Sequence, residues 1–331
     1  IALAANASES VSGFGGFCFF SGDQYHDFCY LCDIINFIKL MEETGLEKII
    51  LYKGQSQYDV LRDFIDDLAD AFEHYGYRPV IIDLLDEKWI QDIETTLNEG
   101  NVLFALGMNC IGMEIKTGST PLYDALNIPY FGYLVDHPFY HMERLKLNKN
   151  VKNALLSCVD RAHVSYLKQF VGPDWTASFI PHGASFVLND PVPFENKRIE
   201  ILFTGTCMDP DRIRNEWTTS HSFIRAFCDE LAELGLARRD LSLIECLDIV
   251  LSNKGLEHNK QMVKNMWPAL REVDKYIRGR RRMEVITTLS NVVPIHIYGN
   301  GWDGIKNNKN LHIHAGITFE EIIIYTKLSN S

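Results

Sequence analysis

The chain has 331 residues, 46% of them hydrophobic and 23% charged, a core-forming composition long enough for two domains of ordinary size. Its formal net charge is −12 and its pI about 5.4, which excludes broad binding to nucleic acid or an anionic membrane, because both need a positive field. No apolar run reaches the ~20 residues that a membrane-spanning helix needs, and Ile1–Phe20 has neither the basic flank nor the apolar core of a secretory leader.

Residues 1–47 read as a helical lead-in. Ser12-Gly13-Phe14-Gly15-Gly16 is glycine-rich, but no Gly-Lys-Ser/Thr follows, so it is not a P-loop. Asp27–Glu43 reads as a helix that stops near Gly45. It holds Cys29-x-x-Cys32, with His26 upstream and no second pair at zinc-finger spacing; the preferred reading is an apolar face shared by Phe28, Cys29, Cys32 and Ile35. The eight cysteines of the chain show no disulfide-framework spacing and predict reduced thiols in a cytoplasmic protein.

From Lys48 the pattern becomes regular. Ile49–Tyr52 predicts a strand, and Ser56 an N-cap for a helix through Tyr75, with Leu61, Ile65, Leu68 and Phe72 at helical spacing and Gly76 as its stop. Pro79–Leu85 is the next strand, Glu87–Glu99 a helix, Asn101–Leu106 a third strand, Gly107–Thr120 a long glycine-bearing loop and Leu122–Leu126 a short helix. Pro129–Asp136 reads as the central strand, running out into Asp136-His137-Pro138. Ala154–Val159, a helix over Arg161–Phe170 and a strand at Ala177–Ile180 complete the layer. Alternation of strand and helix without hairpin signals predicts a parallel sheet covered on both faces, a Rossmann-like α/β domain over residues 48–188.

Residues 189–198 form a polar linker with two prolines. A second Rossmann-like domain is expected over 199–331. It opens with a strand at Ile199–Phe203, carries a helical insertion over Asp211–Ser290 with breaks near Gly235, Gly255 and Pro268, and adds strands at Val292–Tyr298 and Leu311–His314. A capping box of Thr318 and Glu321 starts the last helix, Thr318–Leu328.

The candidate site residues all end strands, which in a parallel α/β sheet is where ligands bind, and two such domains are expected to face each other across a cleft. Asp136 and His137 read as a catalytic base and its partner, or as a structural helix cap. His182, between Pro181 and Gly183, is placed to donate to a phosphate or sugar hydroxyl, or is a turn residue. Gly205 and Thr206 offer backbone N–H groups and a hydroxyl near a helix start, the usual means of holding phosphate oxygens, with Arg212 and Arg214 just beyond. Gly299 and Gly301 let the backbone approach a ligand, but the third glycine and the ribose-binding acid of a dinucleotide fingerprint are missing. The run Arg278, Arg280, Arg281, Arg282 reads as a solvated helix face, Asp209-Pro210-Asp211 as a turn and N-cap, and no metal site is expected.

Tyr133-Leu134-Val135-Asp136-His137-Pro138, Ile180-Pro181-His182-Gly183, Ile201–Gly205, and Ile297-Tyr298-Gly299-Asn300-Gly301-Trp302 followed by His314-Ala315-Gly316 together resemble bacterial GT-B glycosyltransferases, of the spore-maturation-type, group-1-like branch. The resemblance covers about residues 48–331. It implies an acceptor domain followed by a donor domain, a nucleotide-sugar donor such as a UDP-sugar, no tightly bound cofactor or metal, and a saccharide, lipid-linked or protein acceptor. Gly205 and Thr206 are then expected at the diphosphate, Gly299 and Gly301 beside the donor, and Asp136 or His137 near the acceptor hydroxyl. The family continues past the last helix into a strand and a helix whose glutamate grips the donor ribose, so by that comparison the donor domain is expected to be incomplete here. Two alternatives stand beside this reading: a sugar-nucleotide epimerase or hydrolase on the same scaffold, and a non-catalytic binding or scaffold module.

Overall fold

The computed structural model describes residues 47–171, 175–183, 192–256, 260–305 and 308–329. The expected lead-in helix and its Cys29/Cys32 pair lie outside these residues. The chain divides into two compact units, Ile1–Asn189 and Asp190–Ser331.

The first unit is a Rossmann-like α/β structure. Six parallel strands stand in the order β2-β1-β3-β6-β7-β8: β1 Lys48–Lys53, β2 Arg78–Asp83, β3 Val102–Met108, β6 Tyr130–Leu134, β7 Ala154–Cys158 and β8 Thr176–Phe179. β1 shows why its sequence is apolar throughout. Ile49 and Leu51 face a core formed with Ile65 and Ala69 of α1 (Val60–His74), whereas Ile50 and Tyr52 face a second core with Ile93 of α2 (Trp89–Asn98) and Leu122 and Tyr123 of α3 (Leu122–Leu126). A strand buried on both faces cannot alternate polar with apolar residues. Each such Ile or Leu contributes about 1.5–3 kcal/mol by leaving water.

Two local expectations are revised here. The loop Gly107–Thr120 contains a small antiparallel hairpin, β4 (Lys116–Thr117) with β5 (Thr120–Pro121), turned at Gly118 in the left-handed region (φ +61°). The helix expected from Ser56 starts as a short 3-10 turn, Gln57–Asp59, with Tyr58 (φ 53°) and Asp59 (φ 57°) left-handed, and becomes α-helical only at Val60. Ser56 still acts there, its Oγ accepting from the Leu61 N–H at 3.0 Å.

In the second unit, β9 (Ile201–Thr204), β10 (Ile295–Tyr298) and β11 (Leu311–His314) form a parallel sheet in the order β11-β10-β9. Between β9 and β10 lie α6 (Pro210–Thr218), α7 (Ser222–Ala237), α8 (Leu243–Asn253), α9 (Lys260–Asn265) and α10 (Trp267–Ser290). Asp209 caps α6 as expected, accepting from the Asp211 N–H at 3.0 Å. Gly235 does not break α7. It lies inside the helix, where an added Cβ would stand 2.5 Å from Ile277 Cδ1, so its missing side chain lets α10 pack close. The basic run on α10 is a solvated face only in part, Arg278 and Arg280 keeping 43% and 39% of their side chains exposed. Arg278 pairs with Asp274, Arg280 with Asp211, Arg281 donates to the Gly235 carbonyl, and Arg282 to the Thr206 carbonyl. After α11 (Phe319–Lys327) the chain returns to the β9 side of the sheet, where Ser329 bridges in parallel with Ile199.

Among the described residues no helix is long and apolar enough to cross a membrane. The five described cysteines, Cys110, Cys158, Cys207, Cys228 and Cys246, are buried free thiols.

Candidate functional site

The carboxyl edge of the first sheet gathers the polar residues of this unit. Asp136 lies just beyond β6, with its side chain half exposed. Asn109, just past β3, holds it: Asn109 Nδ2 donates to Asp136 Oδ2 at 3.0 Å, and Asn109 Oδ1 accepts from the Val135 N–H at 3.0 Å. Asn109 is buried, and both it and Cys110 are left-handed (φ 51° and 58°). Consecutive non-glycine residues in that region are uncommon, and asparagine tolerates it best. The local strain is balanced by the amide bridge between two strand ends.

His141 faces the same carboxylate. Its Nε2 is buried, makes no hydrogen bond, and lies 3.6 Å from Asp136 Oδ2. His182 lies past β8, near Tyr133, whose hydroxyl donates to the Pro181 carbonyl at 3.0 Å. The His182 ring is open to solvent on one side, yet the protein around it lowers its pKa, and the nearby Asp136 charge opposes that shift. Asp136 and His182, both expected from the sequence, follow β6 and β8 on the same carboxyl edge of the sheet.

His137 is placed differently. Its Nδ1 accepts from the Phe139 N–H at 3.2 Å, capping a 3-10 turn over Pro138–His141. Its ring stacks on Phe139 at 3.8 Å and meets His163 and Tyr166 edge-on. These contacts account for the histidine as a helix cap in an aromatic box.

Next to this cluster is a crevice of about 640 Å3 beyond the ends of β1 and β3. It is lined by Gly54 to Gln57, Leu84, Leu85, Ile111, Glu114 and Arg144. Arg144, on α4 (Met142–Leu147), donates to the Asn109 carbonyl at 2.9 Å, and its Nε is 3.3 Å from Glu114. One residue thus ties the crevice to the asparagine that holds Asp136. None of Asn109, Glu114, His141 or Arg144 was singled out from the sequence. The one local sign was the spacing of His141 and Arg144, three residues apart directly after the Asp136-His137-Pro138 turn.

In the second unit the loops after β9 and β10 interlock. A Cβ at Gly299 would lie 2.2 Å from the Gly205 carbonyl oxygen, and one at Gly301 2.1 Å from that of Cys207. Trp302 Nε1 donates to the Gly205 carbonyl at 2.9 Å, and the Cys207 N–H to that of Asn300 at 2.9 Å. The close approach these glycines allow is thus between two loops of the protein. Arg212 is exposed on α6, and Arg282 rather than Arg212 reaches Thr206. Among the described residues no group of three or more His, Cys, Asp or Glu is placed to hold a metal ion.

Comparison with models of protein families finds no match, and a search of curated proteins finds no significantly similar relative. The chemistry of the edge itself is therefore the basis for assigning a role.

Proposed function

We propose that this chain is a glycosyltransferase of the GT-B type, which moves a sugar from a nucleoside-diphosphate donor to an acceptor hydroxyl. The observation that carries this reading is Asp136: a half-exposed carboxylate at the carboxyl edge of a parallel sheet, fixed by Asn109 and faced by His141. The sequence resemblance and the succession of two parallel α/β units support it. In this mechanism Asp136 takes the proton of the acceptor hydroxyl as that oxygen bonds to the anomeric carbon. The bond from the anomeric carbon to the diphosphate breaks, and the diphosphate leaves with the electron pair. Positioning a base in this way is worth roughly 10²–10⁴ in rate. The second unit takes the donor, with Thr206 and the exposed Arg212 as the groups offered to the diphosphate and no metal required.

The interlocked glycine loops favour a second reading, a non-catalytic binding or scaffold module, because the packing of two loops of the protein by itself requires Gly299 and Gly301.

One experiment separates the two. The chain is incubated with UDP- and GDP-sugars and a mixture of acceptors, and the release of free nucleotide is measured. The transferase reading expects release, and a fall of about 10²-fold or more in Asp136→Asn at unchanged melting temperature. No release with any donor, or an unchanged rate in Asp136→Asn, overturns the assignment.

A further inference from the structure

We propose that the crevice at the ends of β1 and β3 binds a neutral, polyhydroxylated ligand of disaccharide size and does not bind phosphate. Its position makes it a ligand site. From β1 the chain moves outward to β2 and then crosses to β3 on the other side, and ligands of open α/β sheets bind where the strand order reverses in this way. At about 640 Å3 it falls within the ordinary range for small-molecule sites.

A strand followed by a turn and a helix usually binds phosphate through cations and helix-start amides. Here the nearby cations and one of the helix-start amides are already engaged. Arg144 is paired with Glu114 at 3.3 Å. Arg62, behind the β1 turn, makes a two-pronged pair with Asp83, one bond at 3.0 Å, and this pair holds the Asp83 carboxyl below its usual range. Lys53 is paired with Asp66 at 2.6 Å. At the helix start the Leu61 N–H is already given to Ser56 Oγ, and Asp59 adds negative charge. An incoming phosphate would have to break one of these pairs.

The crevice instead offers groups that match hydroxyls. Gln55 and Gln57 each carry an amide donor and acceptor, and Glu114 and Arg144, paired with each other as a neutral unit, each have more hydrogen-bonding positions than those contacts use. Vicinal sugar hydroxyls both donate and accept, so they satisfy such a set without net charge. Leu85, 61% exposed, stands with Leu84 and Ile111 as an apolar wall for the C–H face of a sugar ring. As a statement about binding this stands by itself. As a statement that the acceptor is a neutral saccharide rather than a lipid phosphate, it rests on the transferase reading.

The test uses the full chain in calorimetric titrations with maltose, lactose and chitobiose, and with inorganic phosphate. At least one disaccharide is expected to bind, and Glu114→Gln and Gln57→Ala, both surface changes, to weaken it by about tenfold each at unchanged melting temperature. Phosphate is expected not to compete. The proposal is overturned if none of the disaccharides binds, if binding is indifferent to both variants, or if phosphate binds and is lost in Arg144→Ala. Disaccharide binding without nucleotide release defeats only the transferase reading. Nucleotide release with a phosphate-bearing acceptor held in this crevice defeats only the present proposal.

Discussion

At the scale of single residues, backbone geometry decides more than side-chain identity. Gly299 looks like part of a ligand-binding turn, but the space its Cβ would fill belongs to the Gly205 carbonyl, which also accepts from Trp302. Gly299→Ala must therefore separate two loops, and is expected to cost the second unit about 1–3 kcal/mol or more in denaturant unfolding. Gly304→Ala, with nothing near its Cβ, is the control and is expected to change stability little. Equal stability of the two variants would contradict the interlock. Asp136 and His137 make the same point. Adjacent in sequence and equally plausible as a base, they differ because one reaches Asn109 across the edge and the other packs into the ring cluster of Phe139, His163 and Tyr166. Asn109 itself was not legible, since nothing local marks an asparagine that bridges to a residue 27 positions on.

At the scale of elements, β10 and β11 carry a row of histidines on one sheet face. His296 pairs across the ladder with His312 and stacks on it at 4.7 Å, and His296 Nδ1 lies 3.0 Å from His314 Nε2. Tyr298 and Tyr325 complete the row. An N–H···N bond between two imidazoles needs one nitrogen to stay unprotonated. Burial lowers the pKa of His296 first, and then His312 and His314 lower it further. Burial and then His312 lower that of His314, and no carboxylate opposes either shift. A depressed folded pKa means that the unfolded chain binds more protons in acid. The stabilisation is therefore present above the ordinary histidine value of 6.5 and is lost as pH falls through the folded values. The melting temperature of the second unit is expected to fall as pH drops below about 6.5, and His296→Asn with His314→Asn to flatten that slope. A slope unchanged in the double variant would place the acid sensitivity elsewhere. His312 and His314 stand two apart in the strand expected at Leu311–His314 and so share a face, which makes the row latent in the sequence. Only the β10–β11 register brought the rings to hydrogen-bonding distance.

At the scale of the whole molecule, the net charge of −12 works against any polyanionic partner. The full chain is expected to pass through immobilised heparin at about 0.15 M salt, where surface fields reach only ~8 Å, and to be held by an anion exchanger at pH 8. Retention on heparin would reveal a basic surface outside the pairs described above. What the sequence determined by itself was the class of fold and the position of nearly every strand. Burial on both faces forces continuous apolar runs such as Ile49–Tyr52, and glycines at 76 and 100 mark where the chain must turn. What only the tertiary structure decided was which strand ends become neighbours. The order β2-β1-β3-β6-β7-β8 brings Gly54, Ile111 and Arg144 to one crevice and Asn109, Asp136, His141 and His182 to one edge. Local sequence fixes how each segment pairs with itself and with water. Strand order is set by long-range burial, and that appears only once the helices have covered both faces of the sheet.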